Sequence, residues 1–168
     1  MNLRYPLLLL CFLVTISLFS QKKQTLSQIY TTAPIRVISP LLVDSVTLKG
    51  EKYSEKDMLK TNLAVPEQET FIRPLKSDTA GYFFPEKSKD GFTFQFISFY
   101  VNADRYGKGI IKVTSPNMLE IYVDGKLSVS KTTKEDNLRA EKDASVTITP
   151  YPINSRIVIK LLSSAEDK

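Results

Sequence analysis

"FTFQFISFYVNA", Phe92 to Ala103, carries the strongest strand signal in the chain. Phe92, Phe94 and Phe96 share one face by period two. Ile97, Phe99 and Val101 continue the apolar series with the phase shifted by one. A one-residue shift sends side chains to the opposite face of a strand. Two structures satisfy this pattern: a bulge near Phe96-Ile97, or a strand buried on both faces.

Downstream of this segment the chain keeps the same character. After "DRYGKG", whose two glycines suit a turn, come "IIKVTS", "LEIYVDGKLSVS", "SVTITP" and "RIVIKLLSS". Val146 and Ile148 alternate with threonines, and Ile157, Ile159 and Leu161 alternate with Val158 and Lys160, as strand residues do. Strands crowded between Phe92 and Ser163 and joined mostly by short turns favour antiparallel pairing. The expected fold is an all-β antiparallel sandwich, of jelly-roll or galactose-binding-like type, with one short helix.

The helix is placed in "YSEKDMLKTNLAV": Ser54 caps a first turn, Asp57 stands three residues on, and Met58, Leu59 and Leu63 fall at helical spacing. "PIRVISPLLVDSVTLKG" reads as one or two edge strands, because Pro34 and Pro40 have no N–H to give a ladder. Residues 66 to 85 alternate proline, charge and isolated aromatics, which suits a long connection or irregular strands. Residues 21–33 are polar and suit a linker or a leading strand.

The first twenty residues differ from the rest. "MNLRYPLLLLCFLVTISLFS" has one basic side chain, Arg4, and then an unbroken apolar run from Leu7 to Val14. That is export-leader grammar, too short for a comfortable bilayer span. The expected organisation is therefore a signal peptide over 1–20, a linker over 21–33 and a β-sandwich domain over 34–168. The mature chain is expected to be exported, periplasmic or extracellular, with no membrane attachment after cleavage. Cys11 is the only cysteine, so a cleaved chain has no thiol and no disulfide. Loss of Arg4 leaves 22 basic against 18 acidic residues, a mild excess that demands no nucleic-acid partner.

The hairpin "LEIYVDGKLSVS", Leu119 to Ser130, raises a question of register. A tight Asp124-Gly125 turn pairs Val123 with Lys126 and Tyr122 with Leu127. Carried outward, that register puts Leu119, Ile121 and Val123 on one face with Ser128 and Ser130, and Leu127 and Val129 on the other. Either the turn is longer by one residue or both faces are partly covered. Asp-Gly is demanded by the turn whatever the hairpin does, so it closes a sheet before it presents a ligand.

The chemistry available to this chain is narrow. It contains no histidine, which removes Ser-His-Asp and Cys-His systems and the usual imidazole zinc site. Glu120, Asp124, Glu135 and Asp136 read as exposed strand and turn residues, not as carboxylates paired across a cleft. Asn102, Asp104 and Asp124 supply oxygen atoms but no dense acidic calcium loop. No glycine-rich phosphate loop is present. "KTTKEDNLRAEKD" interleaves acidic residues with Lys131, Lys134, Arg139 and Lys142, as a solvated loop does. No cofactor, metal or catalytic residue is expected. Tyr82, Tyr100, Tyr106 and Tyr122 would suit an aromatic platform for a sugar or peptide, set against ordinary core or rim packing. The candidate ligand or partner surface consists of Tyr100, Asp104, Tyr106, Tyr122 and Asp124.

Over "GEKYSEKDMLK", "FISFYVNADRYGKGIIKVTSPNMLEIYVDGK" and "SKTTKEDN" the chain resembles the leading β-sandwich region of exported Bacteroidetes-type multidomain proteins of the prolyl-oligopeptidase-type serine peptidase group. In those proteins a β-propeller and an α/β-hydrolase domain follow the sandwich. Residues 1–168 contain no propeller repeat and no nucleophile elbow, so no catalytic residue carries over. The resemblance implies a non-catalytic accessory or interaction module whose partner is a protein domain of an exported hydrolase. The alternative is a carbohydrate-binding module of galactose-binding-like type, with a glycan or peptide as ligand.

Overall fold

A computed structural model of the chain describes residues 25–37, 50, 54–61, 63–86, 91–103, 106–134, 143–150 and 153–165. The expected leader, Cys11, the strand signal beyond residue 37, Asp104, Glu135, Asp136, Arg139 and Lys142 lie outside the described residues.

The expected all-β antiparallel sandwich with one short helix is what the chain forms. Its strands are β1 (Gln28–Thr31), β2 (Ile35–Val37), β3 (Arg73–Lys76), β4 (Phe92–Val101), β5 (Gly109–Val113), β6 (Leu119–Val123), β7 (Lys126–Lys131), β8 (Ala144–Ile148) and β9 (Ser155–Ser164). The helix α1 spans Glu55–Leu59, and a 3-10 turn covers Gln68–Thr70. Seven strands make the large sheet in the order β3-β1-β4-β9-β6-β7, with β2 also paired to β4; β5 and β8 form a separate ribbon. Among the described strands only β6 and β7 are both consecutive and paired. The other pairs join distant parts of the chain.

β4 and β9 are the centre of the molecule. They pair without a break from Phe92 opposite Ser164 to Val101 opposite Ser155. Of the two readings of the shifted apolar phase, burial on both faces is the one realised. Ile97 and Phe99 of β4 join Ile157, Ile159 and Leu161 of β9 and Leu119 and Ile121 of β6 on one face, packed against Ile111, Ala144, Val146 and Ile148 of the ribbon. The opposite face carries Phe94, Phe96, Val158 and Leu162, covered by Met58, Leu59, Leu63, Val65 and Phe71 from α1 and the segment after it. The central strand pair is thus sandwiched between a ribbon and a helical layer.

The short helix starts as its sequence predicts: the Ser54 N–H and hydroxyl both donate to the Asp57 carboxylate, at 3.0 and 2.6 Å. Those two bonds hold the Asp57 carboxyl below its ordinary pKa.

Of the two readings of residues 21–33, the leading strand is realised over Gln28–Thr31, so the sheet starts ahead of the expected domain boundary at residue 34. β1 and β2 lie end to end along β4. Between Tyr30 opposite Ser98 and Ile35 opposite Phe94, the chain takes five steps against four on β4. Thr32 still keeps the β1 register, its N–H donating to Phe96 O at 3.0 Å and its hydroxyl accepting the Phe96 N–H at 3.2 Å, so the extra residue falls at Ala33-Pro34. The Thr32 hydroxyl thus gives the Phe96 N–H a side-chain acceptor just before Pro34, which has no N–H of its own to offer the ladder.

The hairpin keeps the two-residue turn, with φ 49° at Asp124 and 79° at Gly125. Val123 pairs with Lys126 and Tyr122 with Leu127, as the tight turn predicts; the register then shifts, so that Ile121 faces Val129. A bulge at Ser128 realigns the apolar sets without lengthening the turn.

Candidate functional site

The helix-side face of the large sheet gathers the polar chemistry of the described residues, in two parts. The first is buried. Glu120 on β6 and Lys160 on β9 are direct cross-strand partners, and they are only 5% and 1% exposed. Lys160 Nζ lies 3.1 Å from Glu120 Oε2, 2.5 Å from Leu59 O and 2.8 Å from Thr61 O. All three ammonium protons have acceptors. Leu59 is the last residue of α1, where helix carbonyls lack partners within the helix, and Thr61 lies in the turn beyond it, its carbonyl also accepting the Leu63 N–H at 2.8 Å. The ammonium also sits 4.6 Å from the centre of the Phe94 ring.

Tyr122, the next residue of β6 on this face, donates its hydroxyl to the same Glu120 oxygen at 2.7 Å. Burial first, and then the bond to and charge of Glu120, raise the Tyr122 phenol well above its ordinary value of 10.0. A phenol whose pKa is higher folded than unfolded contributes stability below pH 10 that is lost as the pH rises beyond it. Tyr122→Phe is therefore expected to flatten the decline of the denaturant midpoint above pH 10 relative to the parent. An unchanged slope would count against the assignment.

Glu120 is thus not the exposed carboxylate that its place in "LEIYV" predicts. The face it occupies is roofed by the α1 layer, and Lys160 neutralises it there. Nothing local to either strand shows the pair, because the two residues stand 40 positions apart.

The second part lies at the open end of the same face. Tyr100 on β4 stands opposite Arg156 on β9, and Tyr30 on β1 stands opposite Ser98, two residues before Tyr100. The two rings therefore lie on adjacent strands, on one face, a diagonal step apart. Tyr30 is 43% and Tyr100 50% exposed. Each hydroxyl meets a carboxamide: Gln28 Nε2 donates to the Tyr30 oxygen at 3.1 Å, and the Tyr100 hydroxyl reaches Gln68 Oε1 at 3.4 Å. The Arg156 guanidinium lies over the Phe71 ring at 5.3 Å and donates through Nη2 to Pro66 O at 2.8 Å.

The sequence-derived candidates fall in different places. Tyr100 is on this corner. Asp124 ends the row: its carboxylate accepts the Arg156 backbone N–H at 2.8 Å and its own N–H donates to Arg156 O at 2.9 Å, docking the hairpin tip onto β9. Tyr122 is half-buried against Glu120. Tyr106 is exposed in the connection between β4 and β5, and Tyr82 is exposed in the loop after β3. Tyr30 and Arg156 complete the corner without having been singled out. Both sit in segments whose only local signal is strand-like composition, and what brings them together is pairing with β4.

No three acidic, cysteine or histidine side chains converge as a metal site among the described residues, and no helix there is long and apolar enough to cross a membrane. The chain matches no protein-family model, no curated protein and no solved structure.

Proposed function

We propose that this chain is a non-catalytic binding module of an exported protein, and that its ligand is a saccharide laid across the Tyr30 and Tyr100 corner. One observation carries the reading. Two exposed tyrosines on neighbouring strands share a face, and each hydroxyl is tied to a glutamine amide. Rings so placed offer apolar surface for stacking on a pyranose, while the amides supply hydrogen-bonding groups beside them. The buried polar cluster favours binding over catalysis, since every proton of the Lys160 ammonium is already donated within the fold.

The test is a glycan array followed by calorimetry. Tyr30→Ala and Tyr100→Ala are each expected to weaken the best ligand by about tenfold or more, close to 1.4 kcal/mol, with the melting temperature unchanged. A folded protein that binds no glycan even at millimolar concentration removes the saccharide reading.

A second reading, an accessory module packed against the catalytic domain of an exported peptidase-like hydrolase, is favoured by Ile72, Tyr82 and Phe84, which expose apolar surface around β3. In-frame propeller-type repeats in the DNA beyond residue 168 would support it. An unrelated gene there would oppose it.

A further inference from the structure

The geometry points to a carboxylate subsite beside the tyrosines, in which Arg156 and Ser98 receive the acid group of an acidic saccharide such as a uronate. This deepens the saccharide reading and rests on it.

Arg156 is half-buried, and its guanidinium donates one hydrogen bond, to the neutral Pro66 carbonyl. No carboxylate among the described residues forms an ion pair with it. Asp124, the nearest acid by register, spends Oδ1 on the Arg156 backbone N–H. Arg156 Nε is buried without an acceptor. The contrast with Lys160 is direct: there the same face surrounds a cation with a carboxylate and two carbonyls, whereas Arg156 keeps donors in reserve. A partly buried cation without a counter-charge is unfavourable until an anion reaches it.

Ser98 is the second, independent observation. It is 1% exposed, and its hydroxyl has no partner. It lies on the same face as Tyr100, two residues away, and diagonal to Arg156 across the β4–β9 ladder. By register the two orphaned polar groups stand a diagonal step apart on the face that carries the exposed rings. A guanidinium and a hydroxyl form a donor set for a carboxylate, and a planar guanidinium backed by Phe71 is oriented for it. The neighbouring tyrosines fix the class of ligand: a ring that stacks and also carries an acid group.

The experiment compares oligouronates with neutral oligosaccharides of equal length on the full chain, by calorimetry at low and high salt. The acidic ligand is expected to bind at least tenfold more tightly, with an advantage that shrinks as salt rises. Arg156→Gln should abolish that advantage while leaving neutral binding within twofold. Arg156→Lys should retain part of it. Ser98→Ala removes an orphaned hydroxyl, so the fold should be kept while the acidic preference falls severalfold.

Equal affinity for neutral and acidic ligands, or an acidic preference untouched by both Arg156→Gln and Ser98→Ala, overturns the subsite and leaves the saccharide reading standing. Binding of neither ligand class overturns both. Tighter binding of a glutamate-rich peptide than of any uronate reassigns the corner to a protein ligand. If Arg156→Gln unfolds the protein, Ser98→Ala and Arg156→Lys decide alone.

Discussion

Lys160→Met is expected to lower the unfolding free energy by about 3–5 kcal/mol, the range for removing one partner of a buried ion pair. The substitution leaves Glu120 roofed over without its cation and strips the side-chain donor that reaches both Leu59 O and Thr61 O. A loss of this size is a large part of the 5–15 kcal/mol or so that holds a typical domain together. The double variant Lys160→Met/Glu120→Leu is expected to regain most of the loss, because two desolvated charges give way to apolar surface on a face already lined by Phe94, Phe96 and Leu162. Denaturant midpoints of the parent, both single variants and the double variant check this directly. A single variant that loses under about 1 kcal/mol, within the ordinary range for surface changes, would show that the pair is not sealed from water. A double variant as unstable as the sum of the singles would show that the site works through the Leu59 and Thr61 carbonyls rather than through charge.

The second large effect is expected at Phe94. This side chain is 1% exposed and fills the space between β4 and α1 against Leu59, Met118 and Leu162. Phe94→Ala removes a ring from a layer only one short helix thick, and the expected cost is about 3–5 kcal/mol. Phe94 also lies beneath the Lys160 ammonium at 4.6 Å, so the two sites share a neighbourhood and their effects should not add. Combining Phe94→Ala with Lys160→Met in a thermodynamic cycle measures the coupling. Strict additivity would dismiss the ring as a partner of the cation. Tyr100→Ala, on the same strand and face but half exposed, is expected to stay within about 0.5 kcal/mol of the parent. The strand is therefore expected to separate into a buried half that carries stability and an exposed half that does not.

How far the sequence reaches differs between these halves. The doubly apolar reading of Phe92 to Val101 holds because a strand's side-chain period is fixed at two, so a phase shift without a bulge leaves only burial on both faces. The Asp124-Gly125 turn was legible for a similar reason: left-handed backbone at two successive residues admits few side chains. The bulge at Ser128 was not legible, since it answers to Ile121 and Val129 sharing one core across the hairpin. Thr32 is comparable. The role of its hydroxyl as an acceptor for the Phe96 N–H exists only because β1 and β2 both settle on β4.

Among the candidate residues, Tyr100 was named for its ring and hydroxyl, and its exposure on the sheet face is what the structure adds. Tyr30 and Arg156 were missed because a tyrosine in "SQIYTT" and an arginine in "NSRIVIK" carry no chemistry until β4 aligns them. Glu120 was misread for the complementary reason: a charged residue in an alternating strand reads as facing water unless something outside the strand covers it.

The chain itself fixed the extended character of its segments, the position of its turn and helix start, and the absence of histidine, since these depend on backbone sterics, side-chain period and composition within a few residues. Only the tertiary structure decided that Lys160 would sit on Glu120 beneath α1 and that Arg156 would keep free donors beside Tyr100. Those outcomes depend on which faces become dry when distant strands meet, and a change of dielectric is a property of the assembled layers, not of any stretch of residues.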